Sequence, residues 1–190
     1  MSAAFLRSFL SSPTRVGAIA PSSRHLAKCM VDWFDWERAR CVVEYGPGTG
    51  AFTGAILSRL HPEARFFAIE RCPRLCGILR ERFASVDVCN DSVENVADLC
   101  QRRGVGPVDA VVCGLPWASF PDTLQQSCFA ALSGVLAPGG QFATFAYLQG
   151  MLLPAAHRLR RRLDEHFSEV SVSPTVWRNL PPAFVYRCRR

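Results

Sequence analysis

The sequence predicts an α/β fold in which a mainly parallel sheet is covered by helices. From Cys41 onward, short apolar runs alternate with segments of helical periodicity, which is the pattern of consecutive βαβ units. The run Val108–Cys113 is largely apolar rather than alternating, as expected of a strand with helices on both faces. Hydrophobic residues make up 49% of the 190 residues and charged residues 20%, a composition typical of a globular domain.

Local signals predict the elements in chain order. Apolar runs predict strands at 41–45, 65–69, 86–89, 108–113 and 141–147, and two final strands at 169–175 and 184–188. Helical periodicity predicts helices at 51–60, 73–83, 93–103 and 122–136, followed by one that begins at Pro154. The proline at position 73 favours a helix start, and Pro138-Gly139-Gly140 favours a helix end.

Two further helices are predicted ahead of the first strand. Residues 3–10 have an apolar face at helical spacing, and a second helix runs from Ser22 or Ser23, either of which could cap it, to Phe34. We therefore divide the chain into an N-terminal helical extension, residues 1–35, and one structural unit, residues 36–190.

Composition narrows the functional classes. No run of about 18 apolar residues occurs, which argues against a transmembrane helix, and the N-terminus lacks the features of a secretory signal. The nine cysteines form no Cys-x-x-Cys pair, which favours free thiols in a reducing compartment over a metal site. The net charge of +6, from 22 basic and 16 acidic residues, suits an anionic membrane or a nucleic acid and decides neither.

A glycine-rich loop follows the first predicted strand. Its glycines allow a tight turn and a close backbone approach to a ligand, and its N–H groups can bind ligand oxygens beside the next helix. By itself this loop also fits a dinucleotide site, because Gly46-x-Gly48-x-x-Ala51 satisfies that pattern. The candidate cofactor residues in it are Glu44, Gly46, Pro47, Gly48, Thr49 and Gly50.

Two acids after later strands narrow the choice of cofactor. Glu70, followed by Arg71, ends the second predicted strand, where a carboxylate can accept both ribose hydroxyls. Asp91, followed by Ser92, comes after the third strand, where a carboxylate can accept from an adenine amine. The order of glycine loop, acid, acid and an x-L-P-W loop resembles the motif series of methyltransferases, which implies S-adenosylmethionine as the cofactor.

The x-L-P-W loop, residues 114–117, is the predicted substrate side. It resembles the loop of amine methyltransferases in which an Asn or Asp and an aromatic ring hold the target nitrogen. Here Gly114 replaces the acid or amide, so only backbone acceptors remain, and the ring of Trp117 is expected to attract a methylammonium by cation–π interaction. The candidate catalytic residues are Gly114, Leu115, Pro116 and Trp117, with Tyr147 at the end of the fifth strand.

Two segments could bind a membrane surface. The first predicted helix turns apolar side chains to one face, and the helix after Pro154 carries arginines beside an apolar face that includes Leu152. The partner predicted from them is an anionic membrane with an aminophospholipid substrate. The residues chosen for this role are Phe5, Leu6, Phe9, Leu10, Arg158 and Arg161.

Over nearly its full length the chain resembles the short, soluble type of bacterial phospholipid N-methyltransferase. The resemblance lies in F-L-R-S-F-L at 5–10, V-G-A-I-A-P-S-S-R at 16–24, the glycine loop, G-L-P-W-A-S-F-P at 114–121 and N-L-P-P-A-F-V-Y-R at 179–187. It implies a Rossmann-like, seven-stranded methyltransferase sheet with its last strand antiparallel. It also implies that residues 16–23 close over the cofactor.

The same resemblance implies an activity and a location. The expected reaction is successive methylation of phosphatidylethanolamine toward phosphatidylcholine, with release of S-adenosylhomocysteine, by a cytoplasmic enzyme held at the inner face of the membrane. The alternatives are an N-methyltransferase of ornithine lipid, of a small-molecule amine or of RNA adenine, and a binding protein without turnover. The absence of an added basic domain argues against a stable nucleic-acid partner.

Overall fold

The computed structural model describes residues 22–190, which form one mixed seven-stranded sheet with helices on both faces. The strand order across the sheet is β3-β2-β1-β4-β5-β7-β6. Strands β1 to β5 pair in parallel, and β7 runs antiparallel to both β5 and β6. The strands are β1 Cys41–Tyr45, β2 Arg65–Ile69, β3 Asp87–Cys89, β4 Val108–Cys113, β5 Leu136–Tyr147, β6 Glu169–Val172 and β7 Ala183–Arg189.

The helices lie between these strands and fill both faces of the sheet. Short 3-10 turns at Val93–Asn95, Trp117–Ser119 and Leu148–Gly150 follow β3, β4 and β5. The predicted fold class is confirmed, including the antiparallel strand. The α-helices are α1 Arg24–Val31, α2 Thr53–Leu57, α3 Pro73–Arg82, α4 Val96–Arg103, α5 Asp122–Val135 and α6 Pro154–His166.

The order of the strands determines where a ligand can bind. The chain moves outward from β1 through β2 to β3, then returns to the other side of β1 with β4. At such a reversal the connecting loops diverge and leave a crevice at the carboxyl ends of the strands. The loops after β1 and β4 therefore face each other across this crevice.

Side chains of the central strands alternate between two apolar clusters. On β1, Val43 and Tyr45 face the cluster beneath α4, α5 and α6, whereas Val42 faces the cluster beneath α1. Helix α1 buries Leu26 and Met30 in this second cluster, so its residues belong to the same folded unit as the sheet. The division between residues 35 and 36 therefore cuts through the core, and the extension is reduced to residues that precede α1.

The structure changes several predicted boundaries. Helix α1 starts after the Ser23 cap as predicted but ends at Val31. Strand β5 begins at Leu136 instead of 141, because Pro138-Gly139-Gly140 continues into the strand with a shift of register against β4. Leu152, predicted on the apolar face of α6, lies before that helix and is 90% exposed.

All nine cysteines are free, and most are buried, in agreement with the expected free thiols. None of the helices within residues 22–190 has both the length and the apolarity needed to cross a bilayer. Among these same residues, no group of three or more His, Cys, Asp or Glu side chains is arranged to hold a metal ion.

Candidate cofactor and substrate site

A crevice at the carboxyl ends of β1 to β4 brings together residues from all the predicted cofactor segments. Its wall combines the glycine loop, the two acidic segments and the loop after β4, which are far apart in the sequence. The predicted residues that line it are Gly46, Gly48, Glu70, Arg71, Asp91, Ser92, Gly114, Leu115 and Pro116. Four other predicted residues, Glu44, Pro47, Thr49 and Gly50, do not line the crevice, and Glu44 is fully buried behind the loop.

The glycine loop requires glycine for two separate reasons. Gly46, Gly48 and Gly50 have φ values of 63°, 59° and 85°, which other residues rarely adopt. A Cβ atom on Gly46 would also lie 2.6 Å from the side chain of Leu115, and one on Gly50 would lie 2.4 Å from the ring of Phe83. The three glycines therefore adopt left-handed backbone conformations, and Gly46 and Gly50 are also tightly packed. Without side chains at these positions, the backbone of the loop can lie at the wall of the crevice.

Glu70 is held with its carboxylate at the crevice wall. Its Oε2 accepts from the Gly48 N–H at 3.1 Å, and its Oε1 accepts from the Cys72 N–H at 2.8 Å. Burial raises the pKa of Glu70, against the opposing effect of these backbone hydrogen bonds. Each oxygen retains a lone pair, so the carboxylate is fixed in place and can still accept from a pair of ribose hydroxyls.

Asp91 is oriented by its own loop. Its Oδ1 accepts from the Asn95 side chain and from the Ser92 N–H, both at 2.7 Å, and Arg102 lies 3.4 Å from its Oδ2. The hydrogen bond from Asn95 is the main cause of the lowered pKa of Asp91. The group is therefore an ionised acceptor, as the predicted contact to an adenine amine requires.

Glu44 provides a test of whether a cationic ligand fits this site. The side chain is fully buried, and its Oε2 accepts from the Thr53 hydroxyl at 2.7 Å. Its Oε1 has no hydrogen-bond partner among residues 22–190, and burial raises the pKa of Glu44 to about 8. A buried acceptor without a partner is costly unless a donor completes it. The amino-acid end of S-adenosylmethionine carries such a donor, and the carboxylates of Glu70 and Asp91 line the crevice with further acceptors, so the residues present fit this cofactor.

The apolar part of the crevice was missed by sequence reasoning. It offers flat and branched side chains of the kind that cover an adenine ring. Burial raises the pKa of Cys128 to about 12, so its thiol is neutral there. A signal in the sequence was available for two of these positions, because Ile69 precedes Glu70 directly and Val93 follows Asp91 by two residues. The apolar lining consists of Ile69, Leu75, Val93, Phe120, Leu124 and Cys128.

The loop after β4 is fastened to the loop after β1. The Gly114 N–H donates to the Tyr45 carbonyl at 2.7 Å, and a Cβ atom on Gly114 would lie 2.7 Å from the Gly46 carbonyl oxygen. Glycine is therefore required here by the neighbouring backbone, which explains why no Asn or Asp occupies the position. The Leu115 carbonyl already accepts from Trp117, whereas no turn or loop hydrogen bond within 22–190 ends on the Gly114 carbonyl.

Trp117 does not have the open ring face that we expected. The residue is only 3% exposed, its ring stacks on Phe129 at 4.7 Å, and its Nε1–H donates to the Thr144 hydroxyl at 2.9 Å. The prediction that this ring holds a methylammonium is therefore corrected. The indole instead anchors the loop after β4 to β5, which positions Gly114 and Leu115.

Tyr147 lies at the carboxyl end of β5 but outside the cofactor crevice. It is half-buried and stands edge-on to Phe145 at 5.4 Å, and Phe145 in turn meets Phe52 at 5.7 Å. Phe52 also lies 3.4 Å from the position of a Cβ on Gly114. An aromatic row on the α1 face of the sheet therefore leads from the loop after β4 to Tyr147. Phe52 and Phe145 were not predicted as site residues.

The histidines and the arginines predicted to bind the membrane lie outside the crevice. None of His25, His61, His157 and His166 lines it. Arg158 and Arg161 are exposed on α6, and Arg161 lies 3.6 Å from Glu165. The membrane residues Phe5, Leu6, Phe9 and Leu10 lie outside the residues that the structure describes.

Comparison with known proteins agrees with this geometry. The profile of the family described as "Methyltransferase domain" matches residues 42–140, which span β1 to the start of β5. The chain is also 40% identical over 188 residues to an ornithine lipid N-methyltransferase of Singulisphaera acidiphila, covering 97% of this chain and 94% of the relative. The chain belongs to the methyltransferase family. The cofactor of the methyltransferase is S-adenosylmethionine, which is the cofactor of this family and fits the residues of the crevice.

Solved structures support the fold of the methyltransferase. It aligns with an O-methyltransferase of Bacillus cereus in complex with S-adenosylhomocysteine at a TM-score of 0.69 and 14% identity, covering 99% of this chain and 92% of that one. It aligns with the N-methyltransferase NodS of Bradyrhizobium japonicum at a TM-score of 0.59 and 16% identity, covering 100% and 98% of the two chains. At such identities the likeness concerns the fold alone.

Proposed function

We infer that this methyltransferase transfers methyl groups to the amino head group of a membrane lipid. The supporting observation is the 40% identity, over nearly the full length of both chains, to an ornithine lipid N-methyltransferase. Ornithine lipid is therefore the first substrate to test. Phosphatidylethanolamine is the second, because the F-L-R-S-F-L, V-G-A-I-A-P-S-S-R and G-L-P-W segments resemble the phospholipid enzymes.

Methyl transfer requires the enzyme to position the amine and the methyl group more than it requires acidic or basic side chains. The methyl carbon bound to sulfur is already activated, so the protein must align a neutral amine in line with it and exclude water. The Gly114 carbonyl is the backbone acceptor best placed to orient an amine N–H, because the loop hydrogen bonds leave it unused. The amine loses one N–H at each methylation. A backbone carbonyl can accept from whichever N–H remains.

The aromatic row is the proposed neighbour of the head group. Phe52 lies against Gly114 and is as buried as Trp117, whereas Phe145 and Tyr147, which follow it in the row, are half-buried. Aromatic faces attract methylated ammonium groups as well as primary ones. Tyr147 therefore remains a proposed substrate contact, with Phe145 added to it.

We also propose that the enzyme works on the cytoplasmic side of an anionic membrane. The net charge of +6 and the exposed Arg158 and Arg161 favour this partner. Deleting residues 1–11 should weaken binding to anionic vesicles more than it weakens cofactor binding. Equal vesicle binding by the shortened protein would remove Phe5, Leu6, Phe9 and Leu10 from this role.

The experiment offers methyl-labelled S-adenosylmethionine with ornithine lipid, phosphatidylethanolamine or ribosomal RNA, the lipids being presented in detergent micelles. Label in a lipid fraction is the expected result, with ornithine lipid labelled faster. Glu70→Gln serves as the inactive control, because it loses the carboxylate at the crevice wall. Label in RNA alone, or cofactor binding without transfer to either lipid, would contradict the proposal.

A further inference from the structure

The large apolar side chains that are exposed among the described residues gather in two segments. Leu148, Met151, Leu152 and Leu153 lie between β5 and α6, whereas Val172 ends β6 and Trp177 and Leu180 follow it before β7. Leu152 is 90% exposed and Trp177 is 71% exposed. Large apolar groups gathered in this way on a protein surface mark an interaction site.

Both loops lie at the edge of the sheet that carries the cofactor crevice. Strands β5 and β6 run in the same direction as β1 to β4, so the loops that follow them emerge at the same carboxyl edge. The aromatic row also ends here, because Tyr147 pairs with Ala183 and the Leu148 N–H donates to the Pro182 carbonyl. The exposed apolar surface is therefore connected to the loop after β4 through the aromatic row of Phe52, Phe145 and Tyr147.

The second loop presents its apolar side chains from a fixed frame. Asn179 is buried, its Oδ1 accepts from the Ser23 N–H at 2.9 Å, and its side-chain N–H donates to the Pro181 carbonyl at 2.7 Å. Trp177 and Leu180, on either side of it, point outward. The same hydrogen bond brings Ser23, the N-cap of α1, beside the loop.

The chain segments that contain the two loops carry only positively charged residues. The sequence contains no Asp or Glu from 148 to 163 or from 170 to 190. Arg178 is exposed on the second loop, and Arg158 is exposed just after the first. Neither has an ion-pair partner among residues 22–190. Tryptophan and leucine flanked by arginine are suited to the interface of an anionic bilayer.

We propose that the loops 148–153 and 172–180 form the surface that docks this enzyme on an anionic lipid bilayer. Docking through them turns the carboxyl edge of the sheet toward the membrane, so a lipid head group reaches the Gly114 loop while its acyl chains stay in the bilayer. The proposal rests on the proposed lipid substrate, and it assigns the membrane contact to residues within the folded domain.

The intrinsic fluorescence of Trp177 can report whether this surface docks on the membrane. Trp36 and Trp117 are buried and Trp33 is half-buried, so Trp177 dominates the solvent-accessible emission. The full chain is mixed with vesicles of phosphatidylglycerol and phosphatidylcholine, and its fluorescence is recorded with acrylamide in the water or bromine on the acyl chains. Docking is expected to shift the emission to shorter wavelength, to protect it from acrylamide and to expose it to the brominated chains. Trp177→Phe should still float with the vesicles but lose these changes.

Substitutions at Leu152 and Trp177 distinguish a loss of apolar contact with the membrane from a loss of folding. Leu152→Ser and Trp177→Ser should each weaken vesicle binding roughly tenfold, whereas the matched Leu152→Ile and Trp177→Phe should bind as the unaltered chain does. Thermal unfolding and S-adenosylhomocysteine binding should be unchanged in all four, because both side chains lie in solvent.

Two outcomes would overturn the docking surface. One is vesicle-bound protein whose Trp177 stays fully open to acrylamide, and the other is a dimer in solution that Trp177→Ser dissociates. Neither outcome touches the proposed function, which is measured separately as methyl transfer to lipid in detergent micelles. Failure of that micelle assay would refute the lipid substrate whatever the vesicles show.

Discussion

At the scale of single residues, Glu44 is the most deeply buried carboxyl group among residues 22–190. Its carboxyl is fully buried with one hydrogen bond, from Thr53, and burial raises its pKa from 4.5 to about 8. The folded chain therefore holds this proton more tightly than the unfolded chain does. The resulting stabilisation is complete below pH 4.5 and is lost as the pH rises through about 8.

This linkage gives a prediction for the protein without cofactor. The free energy of unfolding should fall as the pH is raised from about 5 to about 8, and Glu44→Gln should lack that part of the fall because an amide does not ionise. Urea unfolding at a series of pH values measures it. An identical pH dependence in the two proteins would show that Glu44 is not its source.

Trp117 gives a second prediction at this scale. Trp117→Phe preserves a ring on Phe129 but leaves the buried Thr144 hydroxyl without its donor, so stability should fall by about 1–2 kcal/mol. The ratio of mono-, di- and trimethylated product should stay the same, because this ring does not line the crevice. Calorimetry and mass spectrometry of the lipid products measure the two effects. A changed product ratio with unchanged stability would restore Trp117 to the substrate site.

At the scale of elements, the site depends on how closely two loops approach each other. The loops after β1 and β4 are joined where Gly114 meets the Tyr45 and Gly46 carbonyls. This contact leaves no room for a side chain at Gly114. The x-L-P-W loop therefore differs from its Asn-containing counterparts through packing as well as through chemistry.

Two Gly→Ala substitutions should have opposite effects on stability. Gly114→Ala forces its Cβ to 2.7 Å from the Gly46 oxygen and should cost about 1–3 kcal/mol and reduce methyl transfer. Gly134→Ala, in helix α5, meets nothing within 4 Å and should add about 0.5–1 kcal/mol. Urea unfolding with a transfer assay compares them. Equal stability and activity in both variants would mean that the two loops separate freely.

At the scale of the whole molecule, the carboxyl edge of the sheet collects the cofactor crevice, the aromatic row and the exposed apolar loops. The opposite edge carries charged loops, including the exposed Arg38, which lies 3.7 Å from Asp35. In the proposed docking, the carboxyl edge faces the membrane and the opposite edge faces water.

The basic residues of α6 should add to membrane binding through charge alone. Arg158→Gln and Arg161→Gln should each weaken binding to anionic vesicles roughly fivefold, the equivalent of about 1 kcal/mol, and the loss should shrink as salt is added. Arg38→Gln, at the opposite edge, is the matched control and should have no effect. Sedimentation with vesicles measures all three. An equal loss from Arg38→Gln would indicate a general charge effect without a defined orientation.

Most of the architecture could be predicted from local pattern. Strands β2 and β4 were predicted to the residue, because each is an apolar run bounded by polar or turn residues. The meeting of Gly46, Glu70 and Asp91 at one crevice was also predicted, since each follows a strand and parallel strands bring such ends together. The limits of α1 and β5 were wrong, because tertiary contacts decide where the last turn of a helix or the first pair of a strand forms.

The sequence by itself determined the order of strands and helices, the methyltransferase fold and the segments that meet at the crevice. Only the tertiary structure decided that Trp117 is a buried anchor, that Gly114 is imposed by the Gly46 carbonyl, and that the loops 148–153 and 172–180 share one edge. The physical reason is that periodicity reports a residue's own element. Burial, clearance and shared surfaces depend on neighbours that are distant in the chain.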